Sequence, residues 1–258
     1  MDTRRTGTRT RTRAALGVVG AVVVAFAVTG CADAEDGVVE RKTFAFGGKE
    51  LVIEARGSSV ELVPADVADV EVERRVDGWV FVGNGPEPVW EMRDGTLTLD
   101  VKCEGLAADC DARHSVKVPR GVAVTVQGDN GSVSASGFET ALALRADNGE
   151  VTVRDSGGPL ELTSDNGEIT GERITSWTVS ARSDNGSVSL AFAEDPSLVD
   201  GESDNGEITI EVPGAQAYRV TASADNGDTS VDVRQDGRST HVINAKSDNG
   251  EISVRTAN

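Results

Sequence analysis

The chain has 258 residues, 38% hydrophobic and only 4% aromatic, with 43 acidic against 25 basic side chains and a formal charge of −18. An acidic surface of this strength repels nucleic acid and anionic headgroups, so nucleic-acid binding is excluded as a leading function. The few aromatics suit a narrow core filled by Val, Ile, Leu and small residues.

Residues 1–30 read as a targeting segment and take no part in the fold. Arg4, Arg5, Arg9, Arg11 and Arg13 form a basic start, and Ala14 to Val28 is an apolar run too short to span a membrane comfortably. The run ends in Val28-Thr29-Gly30-Cys31, which resembles the bacterial lipobox, in which cleavage precedes a cysteine that then receives a diacylglycerol. Small residues before Cys31 and the acids Asp33, Glu35 and Asp36 after it favour lipidation over an ordinary secretory signal with a chance cysteine. Arg4-Arg5 raises twin-arginine export, although Gly7 stands where that motif takes a large apolar residue. Cys31 then places the chain at the outer face of the cytoplasmic membrane, anchored to it. Losing residues 1–30 removes five arginines and one aspartate, which takes the formal charge to −22.

Residues 31–42 are small and charged and predict a flexible tether. A single domain is expected over 43–258. Its first coil is read from Leu51, Ile53 and Ala55 before Arg56-Gly57-Ser58, with Val60 and Leu62 after it. Residues 76–120 are the least repetitive part and predict irregular coils. They hold Trp79, Phe81, Trp90 and Met92, read as core or cap, and Cys103 and Cys110, read as a disulfide in an exported protein.

From 121 onward the chain repeats the tripeptide Asp-Asn-Gly, starting at Asp129, Asp147, Asp165, Asp184, Asp204, Asp225 and Asp248. Before each copy, alternate residues are apolar or small, as in Leu160, Leu162 and Ser164; after it come pairs such as Val151 and Val153. Alternation of period two marks strands with one buried face. The inward parity changes across the tripeptide, so it forms a corner, and Asn and Gly suit corners because both tolerate left-handed backbone. The predicted corner residues are Asn130-Gly131, Asn148-Gly149, Asn166-Gly167, Asn185-Gly186, Asn205-Gly206, Asn226-Gly227 and Asn249-Gly250.

One corner type every 18–23 residues predicts an all-β, parallel β-solenoid (β-helix), with an antiparallel sandwich or propeller as the alternative. Stacked coils would align the seven asparagines into an amide ladder and the seven aspartates into a second column. The chain stops soon after its last corner, so the final coil is expected to be an exposed edge.

Catalytic motifs are missing from the sequence. His114 and His241 stand in no nucleophile motif, and no zinc cluster, phosphate loop or nucleophile elbow is present. No catalytic residue, metal ligand or cofactor is assigned. Two rivals are weighed against that reading. Asp at the corner with Glu150, Glu168, Glu207, Asp228 or Glu251 three residues on offers oxygens to calcium, although Ser132 and Ser187 interrupt the row. A carbohydrate-active or glycan-binding β-helix is the other.

The run Ser164-Asp165-Asn166-Gly167-Glu168-Ile169-Thr170 and its siblings, with the lead-in Val118-Pro119-Arg120-Gly121, resemble a bacterial β-strand-repeat family of unknown function often labelled adhesin-like. The resemblance covers residues 45–258 and implies a parallel β-helical rod without catalytic residues to carry over. The expected function is therefore a non-enzymatic, lipid-anchored extracytoplasmic module for adhesion, scaffolding or envelope sensing. Its expected partners are the membrane, through Cys31, and a cell-wall glycan or envelope protein.

Overall fold

The computed structural model of the chain describes residues 39–80, 83–105 and 108–257, with side chains described outside 77–86 and 103–111. The signal segment, Cys31, the tether as far as residue 38, Trp79, Phe81 and the Cys103–Cys110 pairing lie outside that description. Strands begin with β1 (Val39–Phe44), β2 (Glu50–Arg56) and β3 (Ser59–Ala65), followed by the longer β4 (Val70–Val80), β5 (Gly83–Arg93), β6 (Thr96–Gly105) and β7 (Ala108–Pro119). Seven pairs complete the chain. These are β8/β9 (Ala123–Asn130, Val133–Ser136), β10/β11 (Leu142–Asn148, Val151–Arg154), β12/β13 (Leu160–Asn166, Ile169–Ile174) and β14/β15 (Thr178–Asn185, Val188–Phe192). The last three are β16/β17 (Leu198–Asn205, Ile208–Val212), β18/β19 (Arg219–Asn226, Thr229–Asp232) and β20/β21 (Val242–Asn249, Ile252–Thr256).

The first strand of each pair joins an entry sheet and the second an exit sheet, and like strands stack in parallel register. Leu142, Leu160, Val179, Val199 and Ile243 thus form one continuous inward row. These side chains are 0–3% exposed, and burying each contributes about 2 kcal/mol. The fold is the parallel β-solenoid that the repeat predicts. One irregularity explains itself: Gly171 breaks the apolar row, and the space beside its Cα is filled by the Ile174 side chain across a register shift.

Three expectations need correction. First, the tether is shorter than read, because Val39–Lys42 already belong to β1, antiparallel to β4. Second, residues 76–120 are not irregular coils. β6 and β7 stack in parallel on β2 and β3 as a regular coil, while β5 and β4 add antiparallel to them as a cap. Trp90 belongs to that cap and packs edge-on against Phe44, with ring centroids 6.4 Å apart.

Third, the coils do not stack in chain order. The β2/β3 coil lies between β6/β7 and β8/β9, and the last coil, β20/β21, is inserted between β16/β17 and β18/β19. The outermost coil is therefore β18/β19, not the chain end. Its sequence carries the trace, because the inward position that holds Ile208 and Ile252 in the two preceding layers is Thr229 here, and it is exposed.

Candidate functional site

The corner file is the one feature repeated in every regular coil from β8/β9 onward. Asn148, Asn166, Asn185, Asn205 and Asn249 each donate Nδ2 to the Oδ1 of the asparagine one coil nearer the N-terminal end, at 3.1–3.3 Å. Asn226 closes the file by donating to Asn249 at 3.1 Å, in agreement with the inserted last coil. Each amide also reaches the carbonyl of a corner aspartate in the coil below, such as Asn185 to Asp165 O at 3.3 Å. Inside the corner, Ser164, Ser183, Ser203 and Ser247 are buried, and their hydroxyls donate to the carbonyls of Gly149, Gly167, Gly186 and Gly206 at 2.9–3.1 Å.

The glycines serve a purpose other than the one their conformational freedom suggested. Only Gly131 (φ 128°) and Gly227 (φ 159°) of the corner glycines have positive φ, and no corner asparagine does. What demands glycine is the neighbouring coil: a Cβ on Gly167 would lie 2.1 Å from Gly149 O, and one on Gly206 2.2 Å from Gly186 O. Each strand runs through its Asp-Asn pair, so the bend itself falls on Gly and the residue after it.

The aspartate column is paired with cations that stand in alternate coils. Arg145 reaches Asp147 at 3.1 Å and Asp165 at 2.8 Å, and Arg182 reaches Asp184, Asp204 and Glu202 at 2.6–3.3 Å. Lys246 pairs with Asp248 at 2.9 Å. Like charges about 4.8 Å apart repel only modestly in water, and interleaved cations reduce that further. Among the described residues, no group of three or more His, Cys, Asp or Glu side chains is arranged to hold a metal ion.

Two polar clusters escaped the sequence reading. In the cap, Arg74 is buried beside Trp90, its guanidinium carbon 4.0 Å from the ring centroid, and its Nε donates to Glu40 at 3.1 Å. His114, its cross-strand neighbour on β7, is 2% exposed, and neither ring nitrogen has a hydrogen-bond partner among the described residues. Burial, with the Arg74 charge adding to it, pulls the His114 pKa down to about 4, so the ring is neutral at ordinary pH. The inward parity Val70, Val72, Arg74 was visible in the sequence and could have exposed this cluster.

Near the other end, the fully buried Tyr218 donates its hydroxyl to Asp195 at 2.6 Å, and burial and that carboxylate push the phenol pKa up. His241 meets Tyr218 edge-on and bonds Pro196 O through Nδ1 at 2.7 Å. These contacts tie together the second turns of coils that the inverted stacking order brings side by side. Neither cluster pairs a nucleophile with a base.

Parallel coils, an amide file and paired carboxylates define a structural repeat protein of the β-solenoid class. The family described as Toastrack DUF4097 matches residues 114–258, more than half of the chain, and the chain belongs to that family. Among solved structures, it is similar to a candidate cell adhesion protein from Clostridium sporogenes, at 13% identity and a TM-score of 0.35 over 85% of this chain and 99% of that one. It is also similar to a candidate adhesin from Bacteroides fragilis, at 12% identity and a TM-score of 0.45 over 85% and 97% of the two chains. No curated protein matches the chain.

Proposed function

We propose that this protein is a non-enzymatic rod, anchored through lipidated Cys31 outside the cytoplasmic membrane, that presents a binding surface for adhesion or scaffolding. The observation that carries the reading is the use made of the repeated polar residues. The corner amides and hydroxyls bond from coil to coil, and the acids beside them pair with Arg145, Arg182 and Lys246. They hold the stack together, coil against coil. Lipidation is tested by incorporation of labelled fatty acid into the whole chain. The parent is expected to incorporate label and partition with membranes, and Cys31→Ser to do neither; label retained in Cys31→Ser refutes the anchor.

A second reading, glycan binding, has one specific observation behind it. A groove of about 520 Å³ runs across five coils of the entry sheet, floored by Val52, Ala123, Ala143 and Pro159 and edged by Glu50 and Glu161. Trp177, 64% exposed, directly precedes Thr178 of the groove wall. An apolar floor with carboxylate acceptors at its edge suits a neutral sugar chain. Titration with neutral wall oligosaccharides tests it, with Ala143→Glu expected to abolish binding; heat evolution unchanged in Ala143→Glu removes the groove from consideration.

A further inference from the structure

We infer that the outermost coil, β18/β19, is a docking edge for a second copy of this chain, joined tail to tail by antiparallel strand pairing. Its biological sense rests on the anchored-rod reading above; its geometry does not. Both strands stand last in their sheets, β18 bonded to β20 and β19 to β21.

Tyr218 shows which backbone groups point outward. Its N–H donates to Arg234 O at 2.8 Å, and its carbonyl accepts from Asp236 N–H at 2.9 Å, both on the outer side, whereas Arg219 N–H turns inward to His241 O at 2.8 Å. Alternation along the strand then aims the N–H and C=O groups of Val220, Ala222 and Ala224 outward. The bridge from Tyr218 to Gln235 shows that this edge accepts a neighbouring strand, and the chain turns away after that one contact. The inward side chains Val220, Ala222 and Val231 are only partly buried, while Ile243, Ala245 and Val254 one layer inside are 0–3% exposed.

Natural edges are blunted by proline, inward charge or a covering element. The opposite end of the stack has such devices: β5 carries Pro88, and β1 carries Glu40, Arg41 and Lys42. β18 reads Arg-Val-Thr-Ala-Ser-Ala-Asp-Asn and has no proline and no inward charge.

Self-complementarity selects the partner. The outward row of β18 is Arg219, Thr221, Ser223 and Asp225, positive at one end and negative at the other. Antiparallel pairing about a two-fold axis at Ala222 sets Arg219 opposite the partner's Asp225 twice, whereas parallel pairing sets like against like. The same axis serves the exit sheet. Gly201, in register with Ala222 through Ala245, has Ile208 and Ile210 as nearest neighbours across the core, and Ile210 is in register with Val231. With Cys31 eight residues before β1, the open coil is the far end of the rod, about 40 Å along the stack from β6/β7. Pairing there sets the two anchored ends at opposite ends of a rod about 80 Å long.

Sedimentation equilibrium of the full chain carrying Cys31→Ser, at about 0.15 M salt, tests this without a lipid contribution. The expected result is a two-chain mass for that chain and a one-chain mass once Ala222→Pro is added. The Ala222→Pro chain should keep the parent's circular-dichroism spectrum, because proline there removes only an outward N–H, and its melting temperature should match that of the parent diluted to the monomer. Arg219→Asp should weaken association about tenfold, and Arg219→Asp with Asp225→Arg should restore it. A chain that stays monomeric, or a dimer indifferent to both Ala222→Pro and Arg219→Asp, overturns the inference. If Ala222→Pro unfolds, the charge exchange alone decides. Membrane release by Cys31→Ser is read separately by fractionation, so loss of either result leaves the other standing.

Discussion

Gly167→Ala is the sharpest probe of the corner file. The added Cβ would lie 2.1 Å from Gly149 O and 2.6 Å from Gly149 C, both backbone atoms that cannot swing aside. Restoring ordinary contact forces the two corners apart by more than about 1 Å. Four hydrogen bonds span that gap: Gly149 N–H to Asn166 O at 3.2 Å, Asn166 to Asn148 at 3.1 Å, Asn166 to Asp147 O at 3.3 Å, and Ser164 to Gly149 O at 3.0 Å. At about 1 kcal/mol each, the expected loss is about 4 kcal/mol. For a domain of this size that lowers the melting temperature by roughly 8–16 °C. Gly237 has nothing within 4 Å of the corresponding Cβ position, so Gly237→Ala is the control and is expected to be neutral or slightly stabilising. Urea unfolding of both variants beside the parent measures the difference. If Gly167→Ala stays within about 1 kcal/mol of Gly237→Ala, close stacking is not what requires glycine at the corner.

Other expectations follow from the same geometry. Asn185→Ala interrupts the ladder on both sides and should cost about 2–3 kcal/mol, whereas Asn226→Ala, at the last rung, should cost roughly half that by the same unfolding assay. His114 has a pKa lowered to about 4 in the folded chain. Between pH 6.5 and 4 the unfolded chain therefore binds a proton that the folded chain refuses, and stability falls as pH falls through that window, by up to about 3 kcal/mol. His114→Leu should flatten this part of the pH profile; a profile parallel to the parent's would show that His114 is not the group responsible. Arg182→Ala removes contacts to three partly exposed acids and should cost less than about 1 kcal/mol, with the difference shrinking as salt is added.

The sequence displays the regular part of this fold plainly because a solenoid translates local pattern directly into tertiary contact. Leu142 stacks on Leu160 because both occupy the same phase of the same repeat, and Asn148 meets Asn166 for the same reason. Stacking order is different in kind. Nothing in the local pattern of β20 states that its neighbours are β16 and β18, because any coil of matching phase can bond to any other. Only Thr229 and the thinner apolar row of β18 hint at the edge. The cap was obscured for a related reason: β4 and β5 keep strand alternation but lack the corner tripeptide, and antiparallel pairing leaves no periodic signature. The glycine requirement was read from the right residues for the wrong reason, since a contact between coils cannot be seen within one coil.

The inverted order at the C-terminal end makes the last stretch of the chain a keystone. Among the described residues, the strands β18 and β19 pair with no strands of the stack other than β20 and β21. Removing residues 242–256 takes away the layer to which β18/β19 bonds, and Val199 and Ile210 lose the row that covers them in the intact stack. The order in which the layers of this stack lie therefore differs from the order in which they are made, and β18/β19 finds its strand partner only in residues that follow it in the chain.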